Sequence, residues 1–194
     1  MNRIYKSFNK LGPRKFVGKL LSRTITNSFA LPIAIIIWTI SPIYKLKLIG
    51  LYSHRIGHFG MNTHLLLCAL ESNQFHEEKK YKHFFYINPN YPLCNTQLLK
   101  MFKRVITVLP FAHLCQQVDR FLVVLLRKEY NSFFKQTFES SIGWYDFWGL
   151  HKKIKRSYLD FTENETLQAK TLLHKLGIPN KQNLYVFLVE IQNI

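Results

Sequence analysis

Apolar residues near the start of the chain recur at helical spacing. Ile4, Phe8 and Leu11 share one helical face, and Phe16, Val17, Leu20 and Leu21 form a second stripe, with Gly12-Pro13 as a break between them. Lysines and arginines fill the opposite face, the pattern of an interfacial helix whose apolar side enters the acyl boundary. A basic helix lying on the protein's own core is the alternative. The run "FALPIAIIIWTISPIY", residues 29–44, then carries no charge over 16 residues. As a helix it would reach about 24 Å, short of the ~30 Å hydrocarbon core. Pro32 and Pro42 shorten its regular part. The expectation is a half-inserted, re-entrant or monotopic segment, with Trp38 and Tyr44 at headgroup level.

From Lys45 the pattern changes. "KLKLIGLYSHR" (45–55) is a short apolar run that predicts a buried strand. Gly57 and Gly60 predict a turn, with a helix opening near Asn62. "KHFFYINP" (82–89) predicts a second strand, and Asn95 caps a short helix after it. "RVITVLP" (104–110) predicts a third strand, and residues 113–130 have the length and spacing of a helix. Residues 131–158 are aromatic and irregular. Thr162 and Glu165 then form a capping box, Gly177 and Pro179 stop the helix, and "NLYVFLVE" (183–190) predicts another buried strand. Alternating strands and helices imply βαβ crossovers. The predicted fold is α/β, a Rossmann-like parallel sheet with flanking helices over 45–194, preceded by a helical membrane-associating segment over 1–44. The chain ends four residues after the last predicted strand, so the domain is expected to be truncated.

Charge sharpens the division. The net charge is +16, and ten Lys or Arg precede the first acidic residue, Glu71. The rest carries 17 basic and 11 acidic side chains. A basic, acid-free leader suits an anionic surface. Because its cations interleave with an apolar stripe, lipid is expected rather than nucleic acid. Cys68, Cys94 and Cys115 stand singly in apolar runs, which predicts reduced core cysteines and neither a disulfide framework nor a zinc site.

The candidate chemistry lies in "LYSHRIGHFGMNTHLLLCAL" (51–70). Open α/β sheets bind ligands beyond the carboxyl ends of their strands. Gly57 and Gly60 would admit a ligand close to the backbone, and the helix start near Asn62 offers N–H donors to an anion. Arg55 adds charge, while His54, His58 or His64 could serve as acid or base. Asp146, in "GWYDFWGL", sits among aromatics that could stack on sugar rings. A structural, hydrogen-bonding aspartate is the preferred reading of the two. Glu77 and Glu78 fall in a solvated run with Lys79 and Lys80. There is no Walker A loop, GxGxxG fingerprint, nucleophile elbow, metal-ligand spacing or paired glutamates for glycoside hydrolysis.

"SHRIGHFGMNTHLLL", "YDFWGL" and "LDFTENETLQAKTLLHKLGIPNKQNLYVFLVE", in that order, resemble segments of a family of bacterial glycosyltransferases found among cell-envelope polysaccharide genes. The resemblance implies a GT-B-like architecture, of which this chain would be the N-terminal, acceptor-side half. It places Arg55, Gly57, His58, Asn62 and Asp146 as substrate-binding residues facing a cleft, with His58 a candidate catalytic base. It implies a nucleotide-sugar donor as substrate with no cofactor or metal, and a glycan or lipid-linked acceptor. A separate C-terminal half and a place on the cytoplasmic face of the bacterial inner membrane follow from the same resemblance. In that family the last strand leads into a polar loop and a second domain, where this sequence has only "EIQNI". A non-catalytic peripheral membrane protein that binds a glycan lipid or a partner enzyme is the alternative.

Overall fold

A computed structural model describes residues 13–177, and the predicted stripe at residues 4–11 and strand at 183–190 lie outside them. The chain divides into two compact units, Met1–Tyr158 and Leu159–Ile194. In the first, a long helix α1 (Pro13–Ile40) leads into strand β1 (Leu46–Leu51), helix α2 (Ile56–Glu71), a 3₁₀ segment (Asn73–Lys80) and strand β2 (Lys82–Ile87). Helices α3 (Thr96–Phe102), α4 (Ala112–Tyr130), α5 (Phe133–Phe138) and α6 (Leu150–Ile154) follow. The second unit contains α7 (Glu163–Lys175), opened by the predicted capping box: Thr162 N–H donates to Glu165 and Glu165 N–H to Thr162 Oγ1.

The fold is mixed α/β. β1 and β2 pair in parallel with Ile49 opposite Phe85, joined by α2 as the crossover. The predicted third strand is reduced to a single bridge between Phe85 and Val108. Residues Lys103–Val105 turn before the bridge and Pro110 cuts the segment off after it, leaving too little extended backbone for a ladder. Alternation along β1 gives it two buried faces. Leu46 and Leu48 join Phe84 and Tyr86 against α4 and α1, where Ala30 and Ala34 pack fully buried beside Cys115, Val118 and Leu122. Ile49 and Leu51 point to the other side.

α1 departs from the expected pieces. It runs unbroken through Pro32 and begins at Pro13, whose missing N–H costs nothing in a first turn. Pro32 removes only one intrahelical bond, at a point where Ser28 is exposed and its carbonyl can meet other donors. Among the described residues no helix is long and apolar enough to cross a membrane.

Two buried polar networks hold β1. On its outer edge, Leu48 N–H donates to Tyr130 Oη at 3.0 Å and Gly50 N–H to Glu139 Oε1 at 2.7 Å. Tyr130 in turn donates to Asp119 Oδ1 at 2.7 Å, while Tyr86 Oη and Lys135 Nζ donate to Asp119 Oδ2, each at 3.0 Å. Lys135 also donates to Glu139. Burial pushes the Tyr86 and Tyr130 hydroxyls up, so both stay protonated donors, and it pushes the Glu139 carboxyl up as well. The Tyr86 ring lies over Gly50 so closely that a β-carbon there would come within 3.0 Å of it.

The second network centres on Glu78, which is buried and does not lie in a solvated run. Lys47 donates to both its oxygens at 3.0 and 2.8 Å, Ser132 Oγ donates to Oε1 at 2.8 Å, and His83 Nε2 lies 3.3 Å from Oε2. Lys47 also stands 4.0 Å over the Tyr81 ring. Sequence could not reveal this pair, because its members are 31 positions apart. Burial pushes the Glu78 carboxyl up, but the bonds from His83, Lys47 and Ser132 outweigh it and hold it down at about 2. On Lys47 the balance goes the other way: burial dominates and lowers the ammonium's pKa. Three donors converge on the carboxylate, and they keep it ionised into acid.

The stabilisation carried by Glu78 is therefore complete above the ordinary carboxylate value of 4.5 and is lost as pH falls from there to about 2. Denaturation midpoints measured at pH 5 and pH 3 should show this loss, and the double variant Lys47→Met/Glu78→Leu should lose that part of the pH dependence. Lys47→Met alone leaves a buried carboxylate short of its cation and should cost about 3 kcal/mol.

Candidate functional site

β1 ends at Leu51, and Tyr52–Arg55 carry the chain from the carboxyl end of the strand into α2. The Ser53 carbonyl accepts Cys94 N–H at 3.0 Å, which ties this loop to the segment before α3. Arg55 is the N-cap residue, with extended backbone and no side-chain bond to the helix. The start of this 16-residue helix is thus not capped by its own N-cap side chain. A β-carbon at Gly57 would meet nothing within 4 Å, so the surface over the first turn is open.

Aromatic and imidazole rings surround that opening. His54 stacks on Tyr91 with centroids 4.6 Å apart and meets Tyr52 edge-on at 4.4 Å. His58 lies 5.6 Å from Tyr52. Ser53 Oγ and His54 Nδ1 are buried here with no protein hydrogen-bond partner. Partial burial, then the charges of Arg55 and His54, lower the His58 pKa below the usual imidazole value. Its imidazole is consequently neutral at pH 7, the form that can accept a proton.

Gly57 and Gly60 do not make the turn. Both lie inside α2, which starts at Ile56 rather than near Asn62. Two helical glycines cost about 1 kcal/mol each, but the early start places Phe59 fully inside, 5.3 Å from the Phe102 ring, and burial of an aromatic outweighs that cost.

The predicted site residues separate into three places. Arg55, Gly57 and His58 come together at the opening of α2. Asn62, one turn on, is buried: its Nδ2 donates to the carbonyls of Phe138 and Ser140 at 3.0 and 3.1 Å, clamping α2 to the turn after α5. Asp146 caps α6, with Oδ1 accepting Leu150 N–H at 2.6 Å and Oδ2 accepting His151 N–H at 3.1 Å. Its charge acts on His64, whose Nε2 is 3.1 Å from His151 Nδ1. Among the described residues no group of three His, Cys, Asp or Glu side chains is arranged to hold a metal. Sequence patterning does not single out Tyr52, Ser53 or Tyr91. Tyr52 and Ser53 directly follow a buried run at a strand end, which is the available signal. Tyr91 reaches the site from a loop some forty positions away, a contact no local pattern reports. Cys68 and Cys115 are buried as predicted, but Cys94 is exposed.

The Asn62 clamp needs the glycine beneath it. A β-carbon at Gly143 would fall 1.9 Å from Asn62 Oδ1 and 2.8 Å from the Thr137 carbonyl. Gly143→Ala should destabilise by about 2 kcal/mol through overpacking. Asn62→Ala added to it should cost less than the sum of the two single changes, as a denaturant double-mutant cycle would show.

Compared with known proteins, the chain matches no family model, no curated protein and no solved structure.

Proposed function

We propose that this chain is a glycosyltransferase-like protein: the acceptor-side half of a GT-B-type, Rossmann-like fold, held by its N-terminal segment against the anionic cytoplasmic face of a bacterial inner membrane. The observation that carries the reading is the loop at the carboxyl end of β1. There a neutral imidazole, a guanidinium, an open helix start and stacked aromatic rings share one surface. The resemblance of "SHRIGHFGMNTHLLL" to cell-envelope glycosyltransferases supports the same assignment.

In the reaction, His58 takes the proton of an acceptor hydroxyl as its oxygen attacks the anomeric carbon of a nucleotide-sugar. The bond from that carbon to the diphosphate breaks, and the nucleoside diphosphate leaves with the electron pair. Arg55 and the first N–H groups of α2 offer positive potential to a phosphate, while Tyr52 and Tyr91 offer faces to a sugar ring. Asn62 and Asp146 hold the scaffold around this surface. The donor would be bound mainly by a C-terminal half.

A second reading has its own support. Two of the five expected site residues are spent on structural bonds, so a non-catalytic peripheral protein that binds a glycan lipid also fits. One experiment separates the two. The chain is incubated with bacterial membrane lipids and a panel of labelled nucleotide-sugars, alone and with a candidate C-terminal half. The enzymatic reading expects transfer that falls 10²–10⁴-fold in His58→Ala, with the wild-type rate persisting to lower pH than an ordinary imidazole base would allow. Lipid binding that His58→Ala leaves intact, with no transfer under any condition, would establish the second reading.

A further inference from the structure

α1 presents far more apolar surface than its packing uses. Ile25, Phe29, Ile36 and Ile40 are between 42% and 64% exposed on one flank, and no charged residue lies between Arg23 and Lys45. The hydroxyls of this stretch are turned inward: Thr26, Ser28 and Thr39 donate to the carbonyls of Ser22, Thr24 and Ile35 at 2.8–3.0 Å. A hydroxyl bonded to its own helix can enter hydrocarbon without losing a water partner.

Two grooves run beside this flank. One, of about 330 Å³, lies between Ile25 and Phe29 of α1 and Phe111–Leu114 at the start of α4. The other, of about 310 Å³, is lined only by apolar side chains and cysteine, among them Ile33, Ile37, Leu46, Phe84, Leu109 and Leu114. Leu114 borders both, and the two lie one after the other along α1, from Ile25 to Ile37; together they are the trough. Phe111 is 77% exposed on a left-handed backbone (φ 57°), a strained conformation for an aromatic residue that sets its ring at the trough's edge. At the far end, Leu46 also borders a small recess of mixed lining with Ser41, Lys45, Tyr81, Leu126 and Tyr130, where the Lys45 ammonium lies 5.8 Å from the Tyr81 ring centre.

From this geometry we infer that the trough holds one hydrocarbon chain of a membrane lipid whose anionic headgroup is met by Lys45. Shape and charge agree. The lining takes a chain, the polar end supplies a cation, and the leader adds only positive charge before Glu71. This lipid is a fixed anchor and not the acceptor. Lys45 precedes β1 and His58 follows it, so a headgroup at Lys45 sits roughly 20 Å from the candidate base. The inference rests on the membrane part of the proposed function, and its test separates the two.

The full chain is mixed with phosphatidylcholine vesicles containing phosphatidylglycerol whose acyl chain carries a photoreactive diazirine. Sedimentation reports membrane binding, and mass spectrometry maps the cross-links. The expected result is cross-links on peptides containing Ile33–Ile37 and Leu109–Cys115. Ile33→Trp, which fills the trough from an exposed position, should lower them at least five-fold with sedimentation and melting temperature unchanged. Leu109→Trp should do the same from the opposite wall. Lys45→Glu should reduce the preference for phosphatidylglycerol about five-fold, and His58→Ala should leave both sedimentation and the cross-link pattern as they are in the wild type. Sedimentation with cross-links only on the outer flank, at Leu31, Ile35 or Trp38, would overturn the trough and keep the membrane reading. No sedimentation, or self-association through this face without cross-links, would overturn both.

Discussion

Asp119 is buried on α4 and accepts hydrogen bonds from three different parts of the chain: Tyr86 on β2, Tyr130 at the end of its own helix, and Lys135 on α5. A buried carboxylate is tolerable only when its lone pairs are filled and a cation is near, and this one has both. Its consequences spread outward. Tyr130 and the Lys135–Glu139 pair carry the constraint on to the amides of Leu48 and Gly50, so the strand is positioned by side chains on one edge and by β2 on the other. The Tyr86 hydroxyl, fixed by the same carboxylate, keeps its ring against Gly50. The loop from Tyr52 to Arg55 inherits its place from a strand secured in this way.

Lys47 and Glu78 solve a related problem on the same strand. An alternating strand with both faces covered has no solvent-facing position for a lysine, and Lys47 is fully buried. It is accommodated because the 3₁₀ segment brings a carboxylate to it and Tyr81 lends a ring face. Together the two networks account for much of the buried charge in the first unit. On the outer edge of β1, side-chain hydrogen bonds take two amides that a neighbouring strand would otherwise take.

How much of this could be read from sequence follows the range of the interactions. Local signals served well. The apolar runs at 46–51 and 82–87, the Asn95 cap, the extent of α4 and the Thr162–Glu165 capping box depend on residues a few positions apart, and all are present. Glycine was misleading at 57 and 60, because the buried contact of Phe59 with Phe102 decides the helix start and is invisible locally. The strand expected at 104–110 has the right residue types, but a turn at Lys103–Val105 and Pro110 leave too little extended backbone for a ladder. At the site, Arg55 and His58 were legible from their place after a strand. Asn62 and Asp146 were visible as polar residues in apolar surroundings, a pattern that does not distinguish a clamp or a helix cap from a ligand contact. The exposed apolar flank of α1 was legible as composition, whereas the trough beside it depends on Leu109 and Leu114 arriving from elsewhere in the chain.

The closed outer edge of β1 has a further consequence. A bare edge strand is a template on which another chain can hydrogen-bond, the first step in sheet-to-sheet aggregation. Here the outward amides of Leu48 and Gly50 are already engaged by Tyr130 and Glu139, which leaves that edge fewer donors for an intruding strand. Among the described residues the opposite side carries only the bridge from Val108 to Phe85, so a further strand would meet more open backbone there than on the outer edge of β1.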